Sequence, residues 1–331
     1  MTETIAFVFG AALAVAAWLS VLRTVFVPRW RSSVLMRTVV GGTWRAGSVL
    51  AHRLPRAAGE RVLELCAPLA LYLAAACWFV ATLAGFALTA PVLAGVPLTW
   101  SGLTGFLVLR DGNLLAVAAW VSALLVLASF VLHLHRVTAA YSRRELVVAR
   151  MSMRAAMATE AEQVLAEHLR LGSRDHLDRL FAQWTGWLAD ILATHTGYPA
   201  LTVYRPATGT CWLDAAVLVL DAAALTESVA PDWAPPSTRS VLMAGAECFP
   251  VLARQVGVRL PRPVVSLEGR EERDFDQTLK VAVDAGLPQE LGEQEAWPVF
   301  QHWRTRYAPY AVAMSQRLCY RADDPSAWLN S

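Results

Sequence analysis

Charge is scarce in this chain. Charged residues make up 17% of it and hydrophobic ones 56%, where a soluble globular domain carries roughly a quarter charged and just under half apolar. Mean hydropathy is +0.39, a composition that places part of the chain in a membrane. A net charge of only +2 supplies no global basic field, which argues against nucleic acid as a partner. Of the 29 basic residues Lys280 is the sole lysine, a coding bias as much as a choice of chemistry. The five cysteines (Cys66, Cys77, Cys211, Cys248, Cys319) are scattered, with no CxxC and no cluster at zinc spacing, so they read as free thiols in a reducing compartment. Catalytic signatures are missing too. The sequence holds no phosphate-cradling glycine loop, no HExxH, no GxSxG and no paired metal spacing, so neither an enzyme nor a bound metal or cofactor is expected.

What is present is apolar length, concentrated before residue 135. Ile5 to Leu22 is an uncharged run of 18 residues, near the minimum for about 30 Å of hydrocarbon. It is preceded by Glu3 and no base, and followed by Arg23, Pro28, Arg29 and Arg31. That is the flank of a retained anchor with its N-terminus outside, not of a cleavable signal. Two more spans follow, about Val62 to Leu88 and Leu114 to Leu134. Between the first two, residues 29–61 supply seven arginines, with Trp30 and Trp44 placed to sit at headgroup level. The positive-inside rule makes this segment cytoplasmic, either as a solvated loop or as an amphipathic surface helix broken at Gly41-Gly42. After the third span, His133, His135, Arg136, Arg143, Arg144 and Arg150 put the C-terminal side in the cytoplasm as well. The expected location is therefore the cell inner (plasma) membrane, multi-pass, with N-terminus out and C-terminus in.

The residues joining the last two spans, 89–113, have almost no charge before Arg110, unlike a plain extracellular loop. Non-helical backbone is tolerated at membrane depth when it lines a water-filled cavity, and a selectivity filter is such a case. Ser101, Gly102, Thr104, Gly105 and Phe106 are the filter candidates, with Thr104 and Gly105 at the narrowest point. Ser122 and Ser129, seven apart, are candidates for a polar cavity face, or equally for interhelical hydrogen bonds. His133 and His135 point to different sides of a helix, which makes a poor metal chelate but allows a protonation gate; simple interfacial histidines are the plainer account.

Beyond the membrane the pattern is helical. Arg143 to Leu169 keeps amphipathic spacing, continuous with the third span, and Ser173 is an N-cap for a helix that stops at Gly197. Trp212 to Leu225 is too short to span and reads as a core helix, with Asp214 and Asp221 on a solvated face. Pro235-Pro236 and Pro261 to Arg273 read as linkers. Ser237 to Gly257, Phe275 to Ala285 and Glu293 to Leu318 complete the domain, and Ala200 to Tyr204 is the one strand candidate. His195, Tyr198 and Arg205 could form an anion pocket walled by Trp184 and Trp187, with buried aromatic packing as the alternative.

The expected fold is all-α: an anchor in 1–28, a basic interfacial segment in 29–61, a two-helix pore-like module in 62–136 with a re-entrant loop, and a helical cytoplasmic domain in 137–331.

The chain also resembles bacterial membrane proteins of the two-pore-domain potassium channel, or ion-channel-domain, type. The likeness is carried by Tyr141-Ser142-Arg143-Arg144-Glu145, Trp184-Thr185-Gly186-Trp187 with Asp190, His195-Thr196-Gly197-Tyr198-Pro199, Asp221 to Leu225, and Glu295-Ala296-Trp297 with Phe300, Trp303-Arg304 and Tyr307. It implies a potassium-channel-like pore, with a monovalent cation and membrane lipid as partners. One loop per chain then implies a homotetramer. Relatives lead from Ser-Gly into Thr-Leu-Gly-Phe. Here Ser101-Gly102 is followed by Leu103 and then Thr104-Gly105-Phe106, a shortened run that bears on selectivity. A cation pore gated through the cytoplasmic domain is the leading expectation, and a non-conducting membrane-anchored scaffold or sensor is its rival.

Overall fold

The computed structural model describes residues 1–27, 33–110, 112–154, 161–171, 174–207, 210–260 and 270–320. Trp30, Ser173 and the first nine residues of the linker expected from Pro261 lie outside them. Among the described residues every regular element is a helix. Three of these, α1 (Thr2–Val25), α3 (Arg56–Ala94) and α5 (Leu114–Arg154), contain stretches long and apolar enough to cross a bilayer. The chain divides into two compact units, Met1–Ala140 with Thr196–Arg205, and Tyr141–His195 with Pro206–Ser331.

In the first unit α3 is the spine. Its 39 residues run about 58 Å at 1.5 Å each, well beyond roughly 30 Å of hydrocarbon. Pro68 and Pro91 are accommodated within it, and it stops at Gly95, whose φ of 64° is the left-handed cap that glycine adopts cheaply. α1 packs on α3 where Gly10 meets Gly85. A Cβ on Gly10 would fall 2.6 Å from the Gly85 carbonyl oxygen, and one on Gly85 would fall 2.8 Å from the Ala14 Cβ. Small residues let two backbones touch, which is how helices associate where burying apolar surface gains nothing over lipid. The indoles nearby are satisfied: Trp78 Nε1 donates to Ser20 Oγ at 2.9 Å and Trp18 Nε1 to Ser122 Oγ at 2.8 Å. Arg136 donates to the Val25 carbonyl at 2.6 Å, a cation at the negative end of α1.

α2 (Val34–Ala51) is one unbroken helix, so the break expected at Gly41-Gly42 is absent. It is capped by Ser33, which accepts from Met36 N, and folds back on α3 with Gly47 against Cys66 and Gly59 against the Ala51 carbonyl. Trp44 is buried in this hairpin, which corrects its expected place at headgroup level. The strand candidate is also corrected: Ala200–Val203 is a single helical turn, α8, packed on α3. The flanks of that turn are pinned as well, Tyr198 edge-on to the His133 ring at 5.4 Å and Arg205 paired with Glu60 at 2.9 Å.

The second unit contains the rest of α5, α6 (Ala161–Leu171), α7 (Arg174–Gly197, whose last two residues cluster with the first unit), α9 (Trp212–Val229), α10 (Ser237–Gln255), α11 (Arg270–Asp284), α12 (Glu293–Arg304) and α13 (Ala308–Arg317). α9 is the core helix expected, buried on nearly all sides and packed by α6, α10, α12 and α13. Burying each of Leu213, Leu220 and Leu225 stabilises by roughly 2 kcal/mol. Glu293 to Leu318 is two helices, not one, broken at Thr305–Tyr307, and Arg270 to Arg273 open α11 instead of ending a linker. The two units differ in surface. Among the described residues, every exposed large apolar side chain precedes residue 140 except Leu146 and Met243.

Candidate functional site

The expected filter residues sit in a short helix, α4 (Trp100–Leu107), not in extended backbone. Thr99 caps it by accepting from Gly102 N at 3.2 Å. Leu103, Phe106 and Leu107 then fall three and four apart, so one face meets Ala87 and Ala90 of α3 and Ala116 and Ala119 of α5. Phe106 is buried there. The helical turn puts the ring of Phe106, one of the filter candidates, on the alanine face.

Thr104 and Gly105 are helical too, which corrects the expectation of an irregular filter. The Thr104 carbonyl accepts from Val108 N at 2.9 Å and the Gly105 carbonyl from Arg110 N at 3.1 Å. The Thr104 hydroxyl donates to the Trp100 carbonyl at 2.8 Å. Ser101 Oγ lies 3.3 Å from Thr99 Oγ1, and Gly102 backs onto Pro97. Gly105 has no φ in the left-handed region and nothing within 4 Å of where a Cβ would stand. The exit from α4 is the unusual part: Leu109 adopts φ 60° and Gly112 φ 62°. Trp120 of α5 ties the helix down by donating to the Leu107 carbonyl at 2.8 Å.

Ser122 is taken by Trp18, and Ser129 donates to the Leu125 carbonyl of its own helix at 2.8 Å. The interhelical alternative therefore holds for Ser122, and Ser129 bonds locally. His133 is buried and His135 exposed, on different sides of α5 as the spacing predicts. His133 Nδ1 has no hydrogen-bond partner among the described residues.

His195, Tyr198 and Arg205 each have partners of their own. Tyr198 meets His133 and Arg205 meets Glu60. His195 belongs to a polar cluster in the second unit that is centred on Arg144. Its Nδ1 lies 3.0 Å from the Ile191 carbonyl and its Nε2 3.4 Å from an Arg144 guanidinium nitrogen. The consistent protonation has Nδ1–H donating to Ile191 and Arg144 donating to a neutral Nε2. Burial and the Arg144 charge hold the imidazole pKa well below its usual range.

Arg144 itself is fully buried. Its Nε donates to Glu145 at 2.8 Å, and the other Glu145 oxygen accepts from Ala207 N at 2.7 Å. The guanidinium carbon lies 5.1 Å from the Tyr141 ring centre and 5.7 Å from that of Trp212, within cation–π range. Trp187 donates to the Arg144 carbonyl at 3.4 Å, and its ring lies tilted at 60° to that of Trp184 with centroids 4.7 Å apart. This cluster was missed as a site, although a signal existed. Val137, Ala140, Arg144 and Val148 follow helical spacing on one buried stripe, so the arginine in that register points inward. Its neighbour Arg143 points outward and forks onto Asp190 at 3.1 and 3.3 Å.

Asp221 is not on a solvated face. Its carboxylate accepts from the Tyr307 hydroxyl at 2.6 Å and pairs with Arg304 at 3.3 Å, joining α9 to α12 and to the start of α13. Among the described residues no group of three metal-ligating side chains converges. Comparison with known protein families, curated proteins and solved structures finds no match.

Proposed function

We propose that this chain is a non-conducting membrane anchor that presents its C-terminal helical unit at the cytoplasmic face as a scaffold or sensor. One observation carries the reading: the carbonyls of Thr104 and Gly105, which a filter would turn toward an ion, accept instead from Val108 N and Arg110 N. Ion coordination needs carbonyl dipoles aimed into a shared lumen, and these run along α4. The exposed apolar side chains of α1, α3 and α5 supply the surface for lipid tails. The arginine-rich segments after the first and third spans favour an N-out, C-in arrangement in the inner membrane.

The rival is a potassium-conducting homotetramer, favoured by the position of α4 between two spanning helices, where a pore helix would stand. For it to conduct, residues 104–106 have to unwind. Recording purified, folded protein in planar bilayers separates the two. Silence in potassium and sodium gradients is the expected result, and a cation current that the Gly105→Ala variant abolishes would overturn the proposal.

A further inference from the structure

Where α5, α6 and α7 meet in the second unit there is a cleft of about 120 Å³. Each helix contributes residues from adjacent turns of one face: Val147, Arg150 and Met151 from α5, Val164 and His168 from α6, and Leu180, Gln183 and Trp184 from α7. The floor is apolar, with Val164 and Trp184 almost fully buried. The rim is polar. Arg150 and Gln183 are exposed, and Arg150 has no ion pair among the described residues. His168 is fixed by Nδ1, 2.8 Å from the Val164 carbonyl, which leaves Nε2 without a partner among the described residues.

An apolar floor with a few polar groups at its rim is the usual form of a small-molecule site. Its size limits the occupant, since a dry cavity of about 150 Å³ holds one benzene ring. Its charge limits it further. Arg150 offers only donors in a fork that matches a carboxylate, and the Gln183 amide adds two more. Among the described residues no acidic side chain lines the cleft.

We infer that this cleft binds a small monocarboxylate whose tail is a single ring or a short branched chain. The tail lies against Trp184 and Val164, and the carboxylate meets Arg150 and Gln183. Three helices close on the ligand, and α5 is continuous with the third apolar span. Binding here concerns the second unit alone and holds whether or not the chain conducts.

Benzoate is the probe, titrated into the whole 331-residue chain in nanodiscs and followed by saturation-transfer NMR and by thermal shift. Neutral benzamide and tail-less acetate serve as comparisons. Saturable benzoate binding is expected, with both comparison compounds at least about tenfold weaker. Arg150→Gln is expected to weaken benzoate by about tenfold or more, and Leu180→Trp, which fills the cleft, to remove binding. Both positions are outside the fully buried core, and unchanged circular dichroism checks that the variants fold. No saturable signal up to about 10 mM, equal affinity for benzamide, or unchanged binding in both variants overturns the assignment.

Discussion

Trp120 donates its indole proton to the carbonyl of Leu107, the last residue of α4, across 2.8 Å. The bond fixes the C-terminal end of a helix whose other anchor is the buried Phe106 ring. It also leads straight into Leu109, a non-glycine residue held at φ 60°, where a Cβ costs about 1–2 kcal/mol. Trp120→Phe keeps the ring contact with Phe79 and loses the bond. A loss of about 1 kcal/mol is expected in thermal melts. Leu109→Gly acts in the opposite direction and raises stability by up to about 1 kcal/mol by relieving the φ.

Two glycines of the first unit that look alike in sequence respond oppositely to a side chain. At Gly85 a Cβ collides with backbone of α1, so Gly85→Val is expected to separate α1 from α3 at a cost of 2 kcal/mol or more, by order of magnitude. Around Gly105 there is open space in a helical backbone, so Gly105→Ala is expected to be neutral or to stabilise by about 0.5–1 kcal/mol. Unfolding of the two variants in detergent reads both. A Gly105→Ala variant that is strongly destabilised contradicts a helical α4.

Much of this architecture was legible in the sequence, because apolar runs of 18 residues and a period of 3.6 are local properties of a chain. The three long helices, the core helix at Trp212 and the opposed faces of His133 and His135 all follow from such patterns. What failed depended on partners far along the chain. Trp44 looks like an interfacial tryptophan until α2 folds back on α3. Asp221 looks solvated until Tyr307 reaches it from 86 residues away. The Thr-Gly-Phe triplet reads as irregular backbone until Phe106 finds four alanines on two other helices and the segment winds into α4. Arg144 stayed hidden for a different reason: a buried cation contradicts composition rules, and only its register on the stripe of Val137, Ala140 and Val148 exposes it.

Two thiols of the second unit should be silent toward alkylation. Burial pushes Cys211 and Cys248 each up to about 12, so almost none of either is thiolate at neutral pH. In folded protein at about pH 7.5 both are expected to resist maleimide, and both should react once denaturant is added. Mass spectrometry of the tryptic peptides locates the label. Rapid modification of Cys248 in the native state indicates that α10 opens away from α9.

The Arg144 cluster predicts an acid limit to the stability of the second unit. His195 is neutral in the folded protein with its pKa well below the usual value, whereas in the unfolded chain it titrates near 6.5. As pH falls below about 6.5 the unfolded state takes up a proton that the folded state does not, so stability present above that pH is lost progressively, by up to about 1.4 kcal/mol per unit, until the folded pKa is reached. Protonation inside the fold would set imidazolium against the Arg144 guanidinium 3.4 Å away and remove the lone pair that accepts from it. His195→Gln cannot titrate and can still accept from Arg144. The variant is expected to start less stable at neutral pH, by about 1 kcal/mol, and to lose less on acidification. Thermal melts of both proteins between about pH 7.5 and 4.5 test this, since a pH dependence that is identical in the variant would place the titrating group elsewhere.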